Sequence, residues 1–204
     1  SWHQAALKEK RYKAYEDVEA VAADVIKRGI SSTEKLAVIG GSNGGLMVGN
    51  MITRPVASSL FGAAVCQVPL LDMKRYSHLL AGASWMAEYG DPDTDEWSFL
   101  RQHSPYQLLR HDRLGIAEDG EDRTADDKWT CPKVLFTTST RDDRVHPGHA
   151  RKMVKALLED APASLLNTFV EHLPPDALLL RPPPPSTRAA LQVVYGRLSG
   201  TTRR

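Results

Sequence analysis

The sequence predicts an α/β protein with a doubly wound, mainly parallel sheet flanked by helices. The predicted strands are apolar along their whole length, as in sheets that are covered on both faces. Helical patterns alternate with these strands along the chain, which is typical of parallel α/β folds. A glycine-rich turn at residues 40–45 joins the first strand directly to a helix.

The predicted elements follow the order α-β-α-β, an irregular aromatic segment, and then β-α-β. Residues 5–29 carry an apolar stripe at helical spacing and end at Gly29, which suits a helix C-terminus. Four stretches are predicted as strands: 36–39 at the centre of the sheet, 61–68, 134–138 and 165–170. The other predictions are helices at about 43–52, from Pro147 onward and at 192–198, an irregular segment at 69–110 and an exposed loop at 111–128.

The turn between the first strand and its helix contains the pattern G-x-S-x-G, with Ser42 at its centre. This arrangement is the nucleophile elbow of α/β-hydrolases, in which side chains larger than glycine would collide with the adjacent strand and helix. It exposes the Ser42 hydroxyl and directs the Asn43 backbone N–H toward a developing oxyanion. The turn lacks the Gly-Lys-Ser/Thr of a P-loop and the G-x-G-x-x-G of a dinucleotide loop, which leaves a plain strand–helix turn as the alternative.

The composition excludes several classes of protein. The 204 residues carry a formal net charge of +1, which gives no case for nucleic acid as a partner, and no apolar run approaches the length of a membrane span. We expect no cofactor and no metal. Cys66 and Cys131 lie in apolar runs, which predicts reduced thiols and a cytoplasmic protein. Because the chain begins Ser1-Trp2, we expect that it lacks its natural N-terminus.

Five motifs, in order, resemble the catalytic domain of the prolyl oligopeptidase family of serine peptidases, from about residue 2 to residue 158. They are Gly40-Gly-Ser-Asn-Gly-Gly45, Gln67-Val-Pro-Leu-Leu-Asp-Met73, Ala83-Ser-Trp-Met-Ala-Glu-Tyr-Gly90, Ser104-Pro-Tyr106 and Arg141-Asp-Asp-Arg-Val-His-Pro147. The resemblance implies an α/β-hydrolase fold, a serine-type endopeptidase or oligopeptidase, short peptides as substrates and cleavage after proline. It also implies an N-terminal β-propeller and further sheet strands ahead of residue 1, so we expect an unpaired sheet edge.

The resemblance implies a role for each matching residue. Ser42 corresponds to the nucleophile, Asp142 to the triad acid and Asn43 to an oxyanion-hole donor. The substrate-binding residues that it implies are Trp85, which stacks on a proline ring, Tyr89 and Leu70 as further walls, and Arg144, which binds a substrate carbonyl. The position of Asp142 agrees, because it follows a predicted strand on the loop before a helix.

The base is predicted to be His172, which follows the predicted strand at 165–170. The family places its histidine in a glycine-rich loop that this chain lacks, so an incidental surface histidine is the alternative. We predict that His172 lies on the same side of the sheet as Ser42, but that Pro174 and Pro175 prevent a well-formed triad. The other histidines flank the acid or precede it: His146, His149, His3, His78, His103 and His111.

The predicted domain organisation is a partial α/β-hydrolase domain over residues 1–172 and a proline-rich, poorly ordered tail over 173–204. Two alternatives to a serine peptidase remain. One is a truncated hydrolase domain that lacks catalytic competence because its histidine loop is missing. The other is an esterase-type α/β-hydrolase, which the motifs around Trp85 and Arg144 disfavour.

Overall fold

A computed structural model describes residues 3–113, 129–159 and 191–195. The strands in these residues are β1 Ala37–Gly41, β2 Ala63–Gln67, β3 Lys133–Thr138 and β4 Leu191–Tyr195. The α-helices are α1 Tyr12–Lys27, α2 Asn43–Thr53, α3 Pro55–Ser58, α4 Met86–Tyr89, α5 Trp97–Leu100, α6 Pro105–Gln107 and α7 Gly148–Glu159. A π-helical turn, Leu108–Arg113, follows α6, and short 3₁₀ turns are Gln4–Ala6, Lys8–Lys10, Thr33–Lys35, Tyr76–His78, Gly82–Trp85 and Arg101–His103.

The described strands form one parallel sheet in the order β1-β2-β3-β4. The sheet and its flanking helices confirm the predicted α/β architecture. The prediction that the 36–39 strand lies at the centre is wrong, because β1 is at one edge of the described sheet. An apolar run predicts that a strand is buried, but it carries no information about the order of strands.

The last strand, β4, lies where the sequence predicted a short helix and a poorly ordered tail. It pairs in parallel with β3, with Leu191 opposite Val134 and Tyr195 opposite Thr138. The β-branched pair Val193 and Val194 favours the extended conformation, so the helix prediction is wrong over residues 192–195. Residues 196–198 of that prediction lie outside the described residues. The predicted strand at 165–170 lies outside the described residues.

One face of the sheet forms the main hydrophobic core. Residues at alternate positions of β1, β2 and β3 are buried there and pack with α1, α2 and α7: Val38, Ala64, Cys66, Val134 and Phe136 from the strands, and Ala22, Val48, Met51, Met153 and Val154 from the helices. The opposite face is half-buried or exposed in the described part of the chain, and Ile39 on it is 66% exposed.

Two predictions about the ends of helical segments can be compared with the structure: a helix end at Gly29 and an exposed loop from residue 111. Gly29 has φ +68°, and the Ile30 N–H donates to the Val25 carbonyl at 3.1 Å, which closes α1 as expected for a C-terminal glycine. His111 is buried in the π-helical turn, so the prediction of an exposed loop is wrong at that residue. Residues 114–128 of that predicted loop are outside the described residues.

Candidate active site

Ser42 lies on the turn between β1 and α2, with φ 56° and ψ −114°. Residues other than glycine rarely adopt this conformation, so the surrounding structure must hold it in place. The Ser42 N–H donates to the Gln67 carbonyl of β2 at 3.0 Å, and the Ser42 carbonyl accepts from the Leu46 N–H at 3.1 Å. The predicted strand-to-helix turn at Ser42 is therefore confirmed.

Glycines next to Ser42 allow the strand and helix to approach closely. A Cβ on Gly40 would lie 2.3 Å from the Gly44 carbonyl oxygen, and a Cβ on Gly45 would lie 2.8 Å from the Pro69 Cα. A Cβ on Gly44 would meet no atom within 4 Å. Close packing therefore requires glycine at positions 40 and 45. It does not require the second glycine of the G-x-S-x-G pattern, Gly44.

A cavity of about 130 Å³ opens beside Ser42. It is lined by Ser42, Asn43, Leu70, Trp85, Glu88, Tyr89, Arg144 and Val145. A cavity of about 150 Å³ admits a benzene molecule, so the cavity beside Ser42 suits a single small side chain. The prediction that Trp85 and Arg144 approach the same cavity as Ser42 is confirmed.

The apolar wall of the cavity belongs to a second hydrophobic cluster, separate from the main core. It contains Leu46, Leu70, Met73, Tyr76, Tyr89, Leu100 and Val145, with Trp85, Met86, Trp97 and Phe99 packed against it. Tyr89 is 3% exposed, and its ring meets that of Tyr76 edge-on at 5.9 Å. Most of this cluster comes from the irregular aromatic segment, which therefore supplies a packed wall rather than a loose loop.

Asn43 is the first residue of α2, where backbone N–H groups have no partner within the helix. Its side chain is held on both sides. The Asn43 Oδ1 accepts from Arg11 Nη2 at 2.9 Å, and the Asn43 Nδ2 donates to Glu88 Oε1 at 3.3 Å. The start of the helix next to Ser42 is thus tied to two charged side chains.

Asp142 organises the loop between β3 and α7. Its Oδ1 accepts from the backbone N–H groups of Arg144 at 3.0 Å and Val145 at 2.8 Å. This tight turn presents Arg144 and Val145 to the cavity. Within the described residues, the second carboxylate oxygen of Asp142 makes no hydrogen bond, and Asp143 is exposed.

His172 lies outside the described residues, so its assignment stays a prediction. The histidines nearest the Asp142 loop are engaged in turns and packing. The Gly148 N–H donates to His146 Nδ1 at 2.9 Å, and the Asp72 N–H donates to His149 Nδ1 at 3.0 Å. His149 is 1% exposed, and burial lowers its pKa to about 4. It is therefore a neutral hydrogen-bond acceptor at pH 7.

Sequence reasoning missed Glu88 and Arg11. Glu88 follows Trp85 by three residues in the same short helical stretch, so helical spacing could have placed it at the cavity. Arg11 lies in the segment before α1, and no motif links it to the site. Its Nη1 forms an ion pair with Glu88 Oε1 at 2.8 Å, and its guanidinium lies 5.3 Å from the centre of the Tyr89 ring.

Three further features belong to the described part of the chain. Cys66 and Cys131 are free thiols, as predicted. Over the described ranges, no helix is both long and apolar enough to cross a bilayer. In those same ranges, no three potential metal ligands among His, Cys, Asp and Glu come together.

A parallel sheet that leads through a strained serine turn into a helix defines an α/β-hydrolase domain, and comparison with known proteins identifies its family. The profile of the prolyl oligopeptidase family matches residues 1–172. The chain belongs to this family.

Curated relatives include several peptidases. An uncharacterized peptidase of Sinorhizobium fredii is 48% identical over 161 residues, which cover 78% of this chain and 19% of the relative. The prolyl endopeptidase of Dictyostelium discoideum is 31% identical over 159 residues, which cover 77% of this chain and 19% of the relative. This chain spans about a fifth of the length of these relatives.

Solved structures agree with this assignment. A structure from a study of two prolyl endopeptidases has a TM-score of 0.67 and 34% identity, and the match covers 78% of this chain and 21% of that protein. A post-proline cleaving enzyme from Rickettsia typhi has a TM-score of 0.65 and 31% identity, covering 95% of this chain and 22% of that enzyme.

Proposed function

We propose that Ser42 is the nucleophile of a serine peptidase that hydrolyses peptide bonds after proline. The observation that supports this proposal most strongly is the shared cavity, which Ser42 borders from a strained turn and which Trp85 and Arg144 also border. The names of two relatives, a prolyl endopeptidase and a post-proline cleaving enzyme, support the choice of proline.

In the proposed complex, the proline ring of the substrate packs on the Trp85 indole. The ring is compact, apolar and without an N–H donor, so the apolar walls formed by Leu70, Tyr89 and Val145 leave none of its groups unpaired. Arg144 is exposed at the cavity rim, and its guanidinium donates hydrogen bonds to a substrate carbonyl. These contacts hold the scissile carbonyl beside Ser42.

The Ser42 hydroxyl then attacks the carbonyl carbon while its proton passes to a base, for which we propose His172. Asp142 orients that base through its second carboxylate oxygen, and the Asn43 N–H stabilises the oxyanion. Collapse of the intermediate passes the proton to the leaving amine and leaves an ester on Ser42. Water, activated by the same base, hydrolyses this ester.

A peptidyl-proline phosphonate tests the proposal, because it bonds covalently to an activated serine. Mass spectrometry should find the label on Ser42 of the 204-residue chain, and the Ser42→Ala variant should remain unlabelled. The same phosphonate with alanine in place of proline is the specificity control and should react more slowly. Equal rates would contradict the proline preference and favour an esterase-type site. No labelling at all would contradict the nucleophile assignment and favour a catalytically incompetent domain.

A further inference from the structure

Three polar side chains beside Ser42 form a closed ring of contacts. Arg11 pairs with Glu88 at 2.8 Å and donates to Asn43 at 2.9 Å, and Asn43 donates to the same Glu88 oxygen at 3.3 Å. Each residue therefore contacts the other two. We call this set the Arg11–Asn43–Glu88 ring.

The ring joins three segments that are distant in sequence: the stretch before α1, the first turn of α2 and the α4 wall of the cavity. The Arg11 and Glu88 side chains are 14% and 25% exposed, so solvent screens this ion pair only partly. Arg11 also lies over the ring of Tyr89, a second wall residue. The contacts thus connect the serine turn to the wall that faces it.

The charges in the ring have a direct consequence for an oxyanion at Ser42. Glu88 borders the cavity and contacts Asn43, the residue directly after Ser42. A carboxylate there without a counter-charge would repel a developing oxyanion, since like charges in a partly buried site interact strongly. The Arg11 guanidinium supplies that counter-charge.

We propose that Arg11 and Glu88 are positioning residues, which orient Asn43 for its role at the oxyanion while Arg11 neutralises Glu88. This inference rests on the proposed function, in which the Asn43 N–H stabilises the oxyanion. It makes an asymmetric prediction. Removing Arg11 alone leaves an uncompensated carboxylate, so it is more harmful than removing the charges of both Arg11 and Glu88.

The first test measures how the rate of Ser42 labelling depends on the concentration of the peptidyl-proline phosphonate. This dependence gives the maximal labelling rate and the phosphonate concentration at half-saturation. Arg11→Met should lower the maximal rate about tenfold or more, since contacts directed at the oxyanion carry such factors, with little change in half-saturation. The double variant Arg11→Met/Glu88→Gln should recover the part of this loss that comes from the uncompensated Glu88 charge. A double variant as slow as Arg11→Met would overturn the charge compensation.

Lys8→Met is the matched control. Lys8 belongs to the same N-terminal segment and pairs with Glu96 at 2.6 Å, but neither residue borders the cavity. The phosphonate should label Ser42 of the Lys8→Met variant at the wild-type rate. If Lys8→Met lost as much as Arg11→Met, the N-terminal segment would serve only as packing, and the assignment of Arg11 would be wrong.

The second test does not require activity. Hydrogen exchange followed by mass spectrometry should show faster exchange of the Leu46 amide, which donates to the Ser42 carbonyl, in Arg11→Met and Glu88→Gln than in wild type and Lys8→Met. Unchanged exchange in both variants would overturn the positioning role. If the wild-type serine never reacts, the proposed function fails, whereas the exchange measurement still decides whether the ring orients Asn43.

Discussion

At the scale of single residues, the turn at Ser42 is a strained feature of the site. A backbone in this sparsely populated region costs on the order of 1–3 kcal/mol. The turn is held by the hydrogen bond from the Ser42 N–H to Gln67 and by α2, whose Leu46, Val48 and Met51 are buried. Any change that alters the approach of α2 to β1 should therefore release Ser42 before it unfolds the sheet.

The glycines of the turn provide a matched test of this argument. Gly40→Ala would place a methyl group 2.3 Å from the Gly44 carbonyl, so we expect a loss of about 1–3 kcal/mol in the free energy of unfolding and no phosphonate labelling of Ser42. Gly44→Ala meets open space inside a helix, so it should keep labelling and gain up to about 1 kcal/mol. Urea unfolding and labelling check both variants, and equal effects of the two changes would contradict the steric argument.

The role of Trp85 predicts a change in selectivity. Trp85→Ala removes the face on which the proline ring packs, so the preference for proline over alanine phosphonate should fall at least tenfold. The control is Trp97→Ala, because Trp97 packs against the same hydrophobic cluster without bordering the cavity. It should lower the free energy of unfolding while the preference is retained. An unchanged preference in Trp85→Ala would refute the proline pocket.

At the scale of elements, α7 is held against the loop after β2 by buried polar contacts. The Asp72 N–H donates to His149, and the Asp72 carboxylate accepts from Gln107 at 3.0 Å and from Lys152. Burial alone would raise the pKa of Asp72, but the Lys152 and Gln107 hydrogen bonds hold it below its usual value. Since α7 directly follows the Asp142 loop, these contacts also determine where Arg144 and Val145 lie.

The buried His149, which accepts from the Asp72 N–H, predicts a loss of stability in mild acid. The unfolded chain protonates His149 below about pH 6.5, whereas burial keeps the folded residue neutral until about pH 4. The unfolded state therefore binds more protons in this window, and the free energy of unfolding falls as the pH drops, by about 2 kcal/mol for this histidine between pH 7 and pH 5. Asp72 stays ionised over that range and contributes nothing to the slope.

The variant His149→Asn provides the test, because its side-chain oxygen can still accept from the Asp72 N–H. Urea unfolding gives the free energy of unfolding at pH 7 and at pH 5. The difference between these two values should be smaller in the variant than in wild type by about 2 kcal/mol. Burial also lowers the pKa of His103 to about 4. His103 should therefore still contribute to the pH dependence of the unfolding free energy in this variant. An identical pH dependence in wild type and variant would contradict the buried neutral state of His149.

At the scale of the whole molecule, the proposed triad draws on three distant parts of the chain: the β1–α2 turn, the loop after β3 and residue 172. The chain spans about a fifth of the length of these curated relatives. We predict slow turnover by this chain alone, because Pro174 and Pro175 restrict the backbone that follows His172. A base must come within about 2.6–3.2 Å of the serine oxygen.

The measurement is hydrolysis of a chromogenic post-proline peptide by wild type, His172→Ala and Ser42→Ala. We expect all three to turn over at rates several orders of magnitude below those of a complete triad, with little difference between wild type and His172→Ala. Phosphonate labelling is a single covalent step that needs no turnover, so it should still mark Ser42 of the wild type on prolonged incubation. Robust wild-type turnover that His172→Ala abolishes would refute the prediction and establish His172 as the base.

The sequence by itself determined the α/β alternation, the turn at Ser42 and most of the cavity wall. Glycine spacing and apolar runs act over a few residues, so they predict local backbone and burial. The motifs added Leu70, Trp85, Tyr89 and Arg144, and these residues do border one cavity.

Only the tertiary structure decided that β1 lies at an edge of the described sheet, that Leu191–Tyr195 is a strand, and that Arg11 and Glu88 enclose Asn43. The hydrogen bonds of Asn43 to these two residues join positions that are 32 and 45 apart in sequence. Strand order and such contacts depend on how whole segments approach one another, and the free energy of that approach is spread over many packed residues. A local sequence pattern therefore cannot predict strand order or these long-range contacts.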